Sequence, residues 1–473
     1  MAASTPIPTI YLGAIVHSTS LTTLEICPNA AIGVDSSGMI AFIEKENVST
    51  ISDVQFLQNP QNQTTWSHAR IITLHGHGFF FPGFIDTHNH APQHPNTGLF
   101  GKTTLLDWLQ TYTFPMEASF SDLARAKRIY QNFVGRTLSH GTTTCAYYAT
   151  IHVPATNLLA DICLQRGQRA LVGRVCMDSE LSPEDYRDAS VSSSVADSVA
   201  SIAYIRSIDE AGAIVRPIVT PRFAPSCTSE CLRAMGAVAK RHQVFVQTHI
   251  SENKSEVELV KTLFPLSRDY AHVYDSHGIL GERTILAHAV HLTPQERATI
   301  LARKAKISHC PASNTAITSG CCPVRSLLDE GHTIGLGTDV SGGFSPSILE
   351  NVRQAIWVSR HLSLQTGKEA DKLSTEEALY LATRGGAKVV GLEGKVGGFE
   401  VGMEWDAQMV KLGEVDEAED RFESGPVDIF GWESWSEMVE KWVYSGDDRN
   451  TVAVWVRGRL VHRTGRFEGS GEV

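Results

Sequence analysis

Short apolar, β-branched runs that end in polar residues recur along the middle of the chain. Eight of them follow in order: Phe84–His90, Thr142–Tyr147, Ala170–Met177, Ala213–Thr220, Val244–His249, Thr284–His288, Lys306–Cys310 and Thr333–Asp339. Such runs are typical of buried strands in a parallel sheet. Stretches with helical spacing of apolar positions lie between them, for example 123–140 and 229–243. The alternation predicts an α/β fold, a (β/α)8 TIM-like barrel.

The two ends of the chain carry further strand-like segments. They are TIYLGAIVHS and AAIGVDSSGMIAFIEKE near the start, and DAQMVKL and TVAVWVRGRLVHRTGR near the end. The 473 residues exceed what a barrel requires, so we expect both ends to build one small composite β-sandwich. The expected division is 1–80 and 395–473 for the sandwich, and 81–394 for the barrel. The last five residues read as a flexible tail or as a carboxylate ligand for a partner domain, and the tail is favoured.

Composition narrows the class of function. The formal net charge is −11 and no run of lysines and arginines occurs, which argues against nucleic-acid binding. No apolar stretch resembles a signal peptide or a bilayer span, so we expect no membrane association and a cytoplasmic location. The nine cysteines are interpreted as reduced residues rather than as a disulfide framework. These features favour an enzyme that acts on a small molecule.

Five potential metal ligands stand at the ends of predicted strands: His88, His90, His249, His288 and Asp339. Side chains two apart on a strand point to the same side, so His88 and His90 can hold one ion together. Taken singly, His249 or His288 also fits an ordinary core histidine. Because strands of such a barrel present catalytic residues at their C-terminal ends, the joint placement predicts one catalytic metal site.

These residues resemble the amidohydrolase superfamily, whose pattern of His-x-His, His, His and Asp on successive strands is matched across the whole chain. The resemblance is closer to its guanine deaminases in segments such as PGFIDTHNHAPQ, LLDWLQTYTFPME, RPIVTPRF and HISENKSEV. The fourth predicted strand ends in TPRF and offers no lysine to bridge two ions. The resemblance therefore implies one ion per chain held by His88, His90, His249 and Asp339, with zinc favoured and iron as the alternative.

The resemblance also assigns the proton transfers. Glu252, three residues after His249, is expected to take a proton from the attacking water and to donate it to the leaving amine. Read alone, Glu252 also fits a solvated acid that opens the next helix. His288 is expected to contact the water or the substrate, and Asp339 to share in proton transfer while it binds the metal.

Four residues, besides the proton-transfer residues Glu252 and His288, are expected to bind the purine. Arg222 can offer a fork of donors to a ring carbonyl, and Gln93 can donate and accept along the other ring edge. Phe223 and Trp108 are expected to contact the base, together with Glu252 and His288. Without the resemblance, Arg222 fits a surface salt bridge and Trp108 an ordinary core aromatic.

The resemblance implies hydrolytic deamination of guanine to xanthine and ammonia, in purine catabolism, by a cytosolic homodimer. One alternative is deamination of another amino-heterocycle, such as 8-oxoguanine, a pterin or a triazine, on the same metal site. A second alternative, from a different class, is a catalytically inactive relative that serves as a scaffold protein.

Overall fold

The computed structural model describes residues 7–416, 421–423 and 425–467, so the predicted tail at 469–473 lies outside the described residues. The strands are β1 Thr9–Ser20, β2 Thr23–Val34, β3 Ile40–Glu44, β4 Arg70–Thr73, β5 Gly78–Pro82, β6 Phe84–His90, β7 Thr142–Tyr148, β8 Arg169–Gly173, β9 Val175–Cys176, β10 Val215–Pro221, β11 Phe245–Ile250, β12 Thr284–His288, β13 Lys306–His309, β14 Ile334–Leu336, β15 Ala407–Lys411, β16 Glu414–Asp416, β17 Arg421–Glu423, β18 Thr451–Val456 and β19 Arg459–Arg463. The α-helices are α1 Pro60–Thr65, α2 Leu105–Trp108, α3 Phe114–Ala118, α4 Leu123–Ser139, α5 Val153–Arg166, α6 Val191–Ile208, α7 Ser229–His242, α8 Lys254–Leu263, α9 Tyr270–Ser276, α10 Pro294–Ala302, α11 Pro311–Ala316, α12 Val324–Asp329, α13 Ile348–Thr366, α14 Thr375–Tyr380, α15 Gly386–Val389 and α16 Trp435–Ser445.

The barrel consists of parallel strands in the order β6, β7, β8, β10, β11, β12, β13 and β14. All eight runs found in the sequence form strands of this sheet, which confirms the predicted barrel. The third run is divided into β8 and β9 because Arg174 turns its side chain to Asp188 and to the Ile151 carbonyl. The eighth run is shorter than predicted, with only Ile334–Leu336 in the strand.

The helices between the strands begin where polar side chains cap them. Asp122 accepts hydrogen bonds from the backbone of Ala124 and Arg125 at the start of α4. Thr228 caps α7 in the same way through the backbone N–H of Cys231. Because a cap satisfies N–H groups that have no partner within the helix, these residues fix where each helix starts. The predicted helices at 123–140 and 229–243 agree with α4 and α7 to within one residue.

Strands from both chain ends share one eight-stranded sheet in the order β19, β18, β15, β5, β1, β2 and β3, with β4 paired to β1. The two ends meet where β5 pairs with β15, placing Phe80 opposite Met409. Aromatic side chains form the core of this sheet: Tyr11 lies 4.5 Å from Trp405 and 5.3 Å from Trp455 between ring centroids. This confirms a composite β element made by both ends, while the division at residues 80 and 394 stays a prediction.

A buried ion pair joins the composite sheet to the barrel. Arg169, at the start of β8, donates from Nε to Asp406 Oδ2 at 2.7 Å and from Nη2 to Asp406 Oδ1 at 3.0 Å. Arg169 also contacts Glu404, and all three side chains are largely buried. Because a buried charge without its partner is costly, this contact ties the two units together. None of the helices in the described part of the chain combines the length and hydropathy that a bilayer crossing needs.

We expect Asp406→Ala to lower the free energy of unfolding by about 3 kcal/mol, because it leaves part of a buried guanidinium unpaired. Urea unfolding measures the change. The matched control is Asp275→Ala, which removes a two-pronged Arg303 contact of similar geometry at the surface. The free energy of unfolding of that control should fall by less than about 1 kcal/mol. Equal losses in both variants would contradict a special role for the buried pair.

Candidate active site

The first strand of the barrel and the segment after its last strand are joined at a seam, which we define as the contacts between residues 84–90 and 334–339. The Asp339 N–H donates to the His88 carbonyl at 2.9 Å. Asp86 accepts from the Thr338 N–H at 3.0 Å. A Cβ at Gly337 would lie 2.8 Å from the His88 Cβ, so glycine is needed for this close approach. The seam therefore fixes the positions of His88 and Asp339 relative to each other.

Four of the predicted ligands converge at the carboxyl end of the barrel. Asp339 Oδ1 lies 3.1 Å from His88 Nε2 and 3.3 Å from His90 Nε2. His90 Nε2 lies 3.2 Å from His249 Nε2. His288 lies beside this cluster, with its Nε2 at 3.8 Å from Asp339 Oδ2. Five candidates from four separate segments of the chain thus occupy one small volume.

The donor atoms fit a divalent metal ion. His249 Nδ1 lies 2.6 Å from the Arg222 carbonyl, so it carries the proton and leaves a lone pair on Nε2. The Nε2 atom of His88 is buried and has no hydrogen-bond partner in the described residues. Three imidazole nitrogens and one carboxylate oxygen directed at a common point are a donor set typical of zinc or iron. A backbone carbonyl that orients a ligating histidine is a common outer contact of such sites.

Burial sets the charge of the ligand residues. It lowers the pKa of His88, and it lowers the pKa values of His90 and His249 well below the ordinary value. Burial alone would raise the pKa of Asp339, but the neighbouring His88 and His288 bring it below its ordinary value. Neutral imidazoles and an ionised carboxylate are the forms that bind a cation, so the protein holds these residues in their ligating states.

Glu252 and His288 lie next to the metal ligands. His288 Nε2 is 3.4 Å from Glu252 Oε2, and Ser319 donates to Glu252 Oε1 at 2.9 Å. His288 Nδ1 lies 2.9 Å from Asn314 Oδ1, which fixes the ring. Burial raises the pKa of Glu252 to about 7. A carboxyl group that exchanges its proton near neutral pH is suited to accept a proton and then donate it.

His288 and Asp339 have a strained backbone. His288 has a φ of 73° and Asp339 a φ of 49°, in the left-handed region that residues other than glycine seldom adopt. Both lie immediately at or after the end of a barrel strand. Such conformations persist only where the surroundings enforce them, and they are common at active sites.

The ligand cluster opens into a cavity whose other walls include all four predicted purine-binding residues, Gln93, Trp108, Arg222 and Phe223. Leu105, Leu109 and Ile317 add apolar surface. Trp108 is 4% exposed, so it is both a core aromatic and part of the cavity wall. A cavity with apolar and aromatic side walls that borders a cluster of potential metal ligands is suited to a small heterocycle.

The structure adds Glu117, which was not predicted from the sequence. Arg222 does not form a surface salt bridge: its Nη1 donates to Glu117 Oε2 at 2.6 Å and its Nη2 donates to Oε1 at 3.1 Å. Gln93 Nε2 donates to Glu117 Oε1 at 2.7 Å. Glu117 lies on α3, which a π-helical stretch connects to α2 and Trp108. Glu117 is the last residue of LLDWLQTYTFPME, a segment that carries part of the resemblance, but the sequence assigned it no role.

Comparison with known proteins places the whole chain in one family. A sequence model of the Amidohydrolase family matches residues 79–461. A probable guanine deaminase from Schizosaccharomyces pombe is 46% identical over 452 residues, covering 96% of this chain and 83% of its own. A guanine deaminase from Dictyostelium discoideum is 41% identical, with coverage of 96% and 98%. The crystal structure of a guanine deaminase from C. acetobutylicum with guanine in its active site is 32% identical, has a TM-score of 0.84, and covers 96% of this chain and 100% of its own.

We expect His249→Ala to lose bound metal, because it removes a donor atom and its backbone-fixed orientation. The loss in affinity should exceed the roughly 10–100-fold that loss of an outer contact costs. Metal analysis of the dialysed protein measures it. His94→Ala is the control, since His94 contacts Asn132 and Phe133 away from the cluster. Full metal content in His249→Ala would show that the fifth strand supplies no ligand.

Proposed function

The chain belongs to the amidohydrolase family, and from this premise we propose that it hydrolyses guanine to xanthine and ammonia with one bound divalent metal ion. The single observation that carries the proposal is the joint placement of the ligand cluster, Glu252 and Arg222 around one cavity. The guanine deaminase relatives, which match nearly the full length of the chain, support the choice of substrate. Zinc is the proposed metal, with iron as the alternative.

His88, His90, His249 and Asp339 are the proposed metal ligands. When bound, the ion would lower the pKa of a coordinated water to roughly 7 and so supply hydroxide at neutral pH. His88, His90 and Asp339 are buried, so bulk water does little to screen the charge of an ion held by them. The His249 ring is held by the Arg222 carbonyl, and His88 by the seam, so the ligands need little rearrangement before the reaction.

Glu252 is the proposed proton carrier. It takes the proton of the attacking water and then gives it to the amine nitrogen on the purine ring, because an amine leaves readily only after protonation. His288 lies 3.4 Å from Glu252, and it is held by Asn314 on its far side. Burial lowers the pKa of His288, but Glu252 and Asp339 raise it overall above the ordinary value. His288 can therefore donate a hydrogen bond to the oxygen that attacks, and Asp339 shares in the proton transfer.

Recognition of guanine is assigned to the walls of the cavity. The guanidinium of Arg222 supplies N–H donors to the ring carbonyl oxygen, and the side-chain amide of Gln93 faces another edge of the base. Phe223 and Trp108 provide flat apolar surface for the ring. A base without the carbonyl would leave the buried donors of Arg222 unpaired, and this is the physical basis of the proposed specificity.

The cellular setting is part of the same proposal. A guanine-hydrolysing enzyme would act in purine catabolism, and we expect a cytosolic homodimer. These features come from the resemblance to guanine deaminases.

The substrate is tested by ammonia release from guanine, adenine, cytosine, 8-oxoguanine and a pterin, with purified protein of known metal content. We expect a kcat/KM for guanine at least about 100-fold above that for adenine, because adenine has no ring carbonyl and would leave the donors of Arg222 unpaired. 8-Oxoguanine and a pterin keep that carbonyl, so their turnover reports how well the shape of the cavity fits the rest of the ring. A preference for another base would keep the mechanism and discard the recognition assignments. Stoichiometric metal without turnover of any base would favour the scaffold alternative.

We expect Glu252→Gln to keep its metal and to lose about 10²–10⁴-fold in kcat, since the amide cannot carry the proton. Steady-state kinetics with parallel metal analysis measures both quantities. Glu230→Gln, on an exposed glutamate in the first turn of α7, is the control and should retain full activity. A Glu252→Gln enzyme with more than about a tenth of the activity would remove Glu252 from proton transfer.

A further inference from the structure

Glu117 is a fully buried carboxylate at the back of the cavity wall. Its exposed fraction is 0%, and each of its two oxygens accepts two hydrogen bonds. Oε1 accepts from Gln93 Nε2 at 2.7 Å and from Arg222 Nη2 at 3.1 Å. Oε2 accepts from Arg222 Nη1 at 2.6 Å and from the Tyr186 hydroxyl at 2.7 Å. The carboxylate thus joins three segments that are distant in the sequence.

The position of Glu117 separates it from the residues expected to touch the base. Arg222 and Gln93 line the cavity, while Glu117 lies behind them. A buried ion pair often contributes little to stability compared with an apolar replacement of similar volume. Stability alone is therefore a weak reason for this arrangement, and an effect exerted through Arg222 and Gln93 is the stronger one.

Glu117 determines which donors of Arg222 are free. It occupies one hydrogen on each Nη atom, and Nη1 also contacts the Met177 sulfur at 3.9 Å, so Nε–H and the second hydrogen of Nη2 are left for other partners. No hydrogen bond from Arg222 Nε to a described residue is found. The guanidinium carbon also lies 5.2 Å from the Phe114 ring centroid, which holds the plane of the group. Arg222 is thereby fixed with a fork of donors available for a carbonyl oxygen.

Glu117 also determines the orientation of the Gln93 amide. Gln93 Nε2 faces the carboxylate, and Gln93 Oε1 accepts from the Ser341 N–H at 3.2 Å. A flipped amide would direct its oxygen at the carboxylate and its NH2 group at the Ser341 N–H, and both contacts would be repulsive. The second hydrogen on Gln93 Nε2 is therefore the donor that remains for a base in the cavity.

We propose that Glu117 is the positioning and charge-balancing residue of the purine pocket. It fixes the donors of Arg222 and Gln93, and it cancels the guanidinium charge so that the pocket accepts a neutral ring carbonyl and disfavours a purine anion. This inference rests on the proposed deamination of guanine. Xanthine is a stronger acid than guanine and loses a proton near neutral pH. A charge-balanced pocket would therefore bind the ionised product poorly and release it.

The charged and titratable groups around Glu117 do not change their charge near neutral pH. They are Arg222, Tyr186, Tyr130 and His152. Burial raises the pKa values of Tyr130 and Tyr186 well above the ordinary value, and burial lowers the pKa of His152. Glu117 raises the pKa of Arg222 although burial opposes this. Glu252 also lines the cavity, and burial raises its pKa to about 7, but it is present in both enzymes. The difference in product binding between the wild type and a Glu117 variant across this pH range therefore reports the charge of the purine.

The test compares the metal-loaded wild type with Glu117→Gln, which keeps the shape of the side chain and removes its charge. We measure KM for guanine and the inhibition constant of xanthine from about pH 6.5 to about pH 8.5. The wild type should bind xanthine more weakly as pH rises. Glu117→Gln should raise KM for guanine about tenfold and should bind xanthine more tightly as pH rises, because the Arg222 charge is then uncompensated.

Asp406→Asn is the matched control, since it removes the charge from another buried carboxylate that binds an arginine through two hydrogen bonds. It should lose stability and keep the wild-type pH trend. If Glu117→Gln does not fold, the neutral double variant Glu117→Gln/Arg222→Met replaces it. That variant should keep the wild-type pH trend for xanthine and lose the preference for guanine over 2-aminopurine, which lacks the carbonyl.

The outcomes separate the two proposals. The wild type could turn over guanine while the Glu117→Gln variant shows the wild-type pH trend for xanthine binding. That result would overturn the role of Glu117 alone. If the double variant keeps its preference for guanine over 2-aminopurine, the contact between Arg222 and the carbonyl is wrong, and the role of Glu117 in positioning Arg222 is wrong with it. A wild type that releases no ammonia from guanine would overturn the proposed function and this inference with it.

Discussion

The hydrogen bond from the Asp339 N–H to the His88 carbonyl closes the barrel at the point where the proposed metal ligands lie. A parallel sheet becomes a barrel only when its first and last strands meet, and here they meet through residues 84–90 and 334–339. The same contact brings Asp339 Oδ1 within 3.1 Å of His88 Nε2. His90 lies on the same strand as His88, and His249 reaches the cluster from β11, which pairs with β10 and β12. The contact that closes the barrel is therefore also a contact between two of the proposed ligands.

Two compact charge arrangements share the mouth of this barrel. In the first, Asp339 provides the negative charge beside neutral imidazoles, with Glu252 at the edge. In the second, Arg222 and Glu117 neutralise each other behind the cavity wall. Both are buried, so water does little to screen them, and each group acts strongly on its neighbours. The arrangement allows a cation and a developing negative charge to be stabilised at one end of the cavity, while the opposite wall stays electrically neutral.

The sequence was most informative where one local pattern determines the structure. Alternating strand and helix patterns predicted all eight barrel strands, and the spacing of His88 and His90 predicted that they share a face. Prediction from local sequence patterns failed where contacts between distant segments determine the structure. Arg174 interrupts the third run because Asp188, outside that run, binds its side chain. Glu117 could not be predicted because its partners come from three separate segments that only the folded barrel brings together. The left-handed backbone of His288 and Asp339 was likewise not predicted, because histidine and aspartate adopt it only occasionally and the local sequence does not show where.

The Arg222 backbone carbonyl has a consequence for how this pocket can diversify. It holds the His249 ring at 2.6 Å, while the side chain of the same residue faces the cavity. Replacing the side chain leaves the carbonyl in place, so the range of bases can change while the metal is retained. An insertion or a deletion between β10 and α7 would move that carbonyl and release the ring. New substrates are therefore accessible to this scaffold through exchange of side chains at a constant loop length, and not through remodelling of the loop.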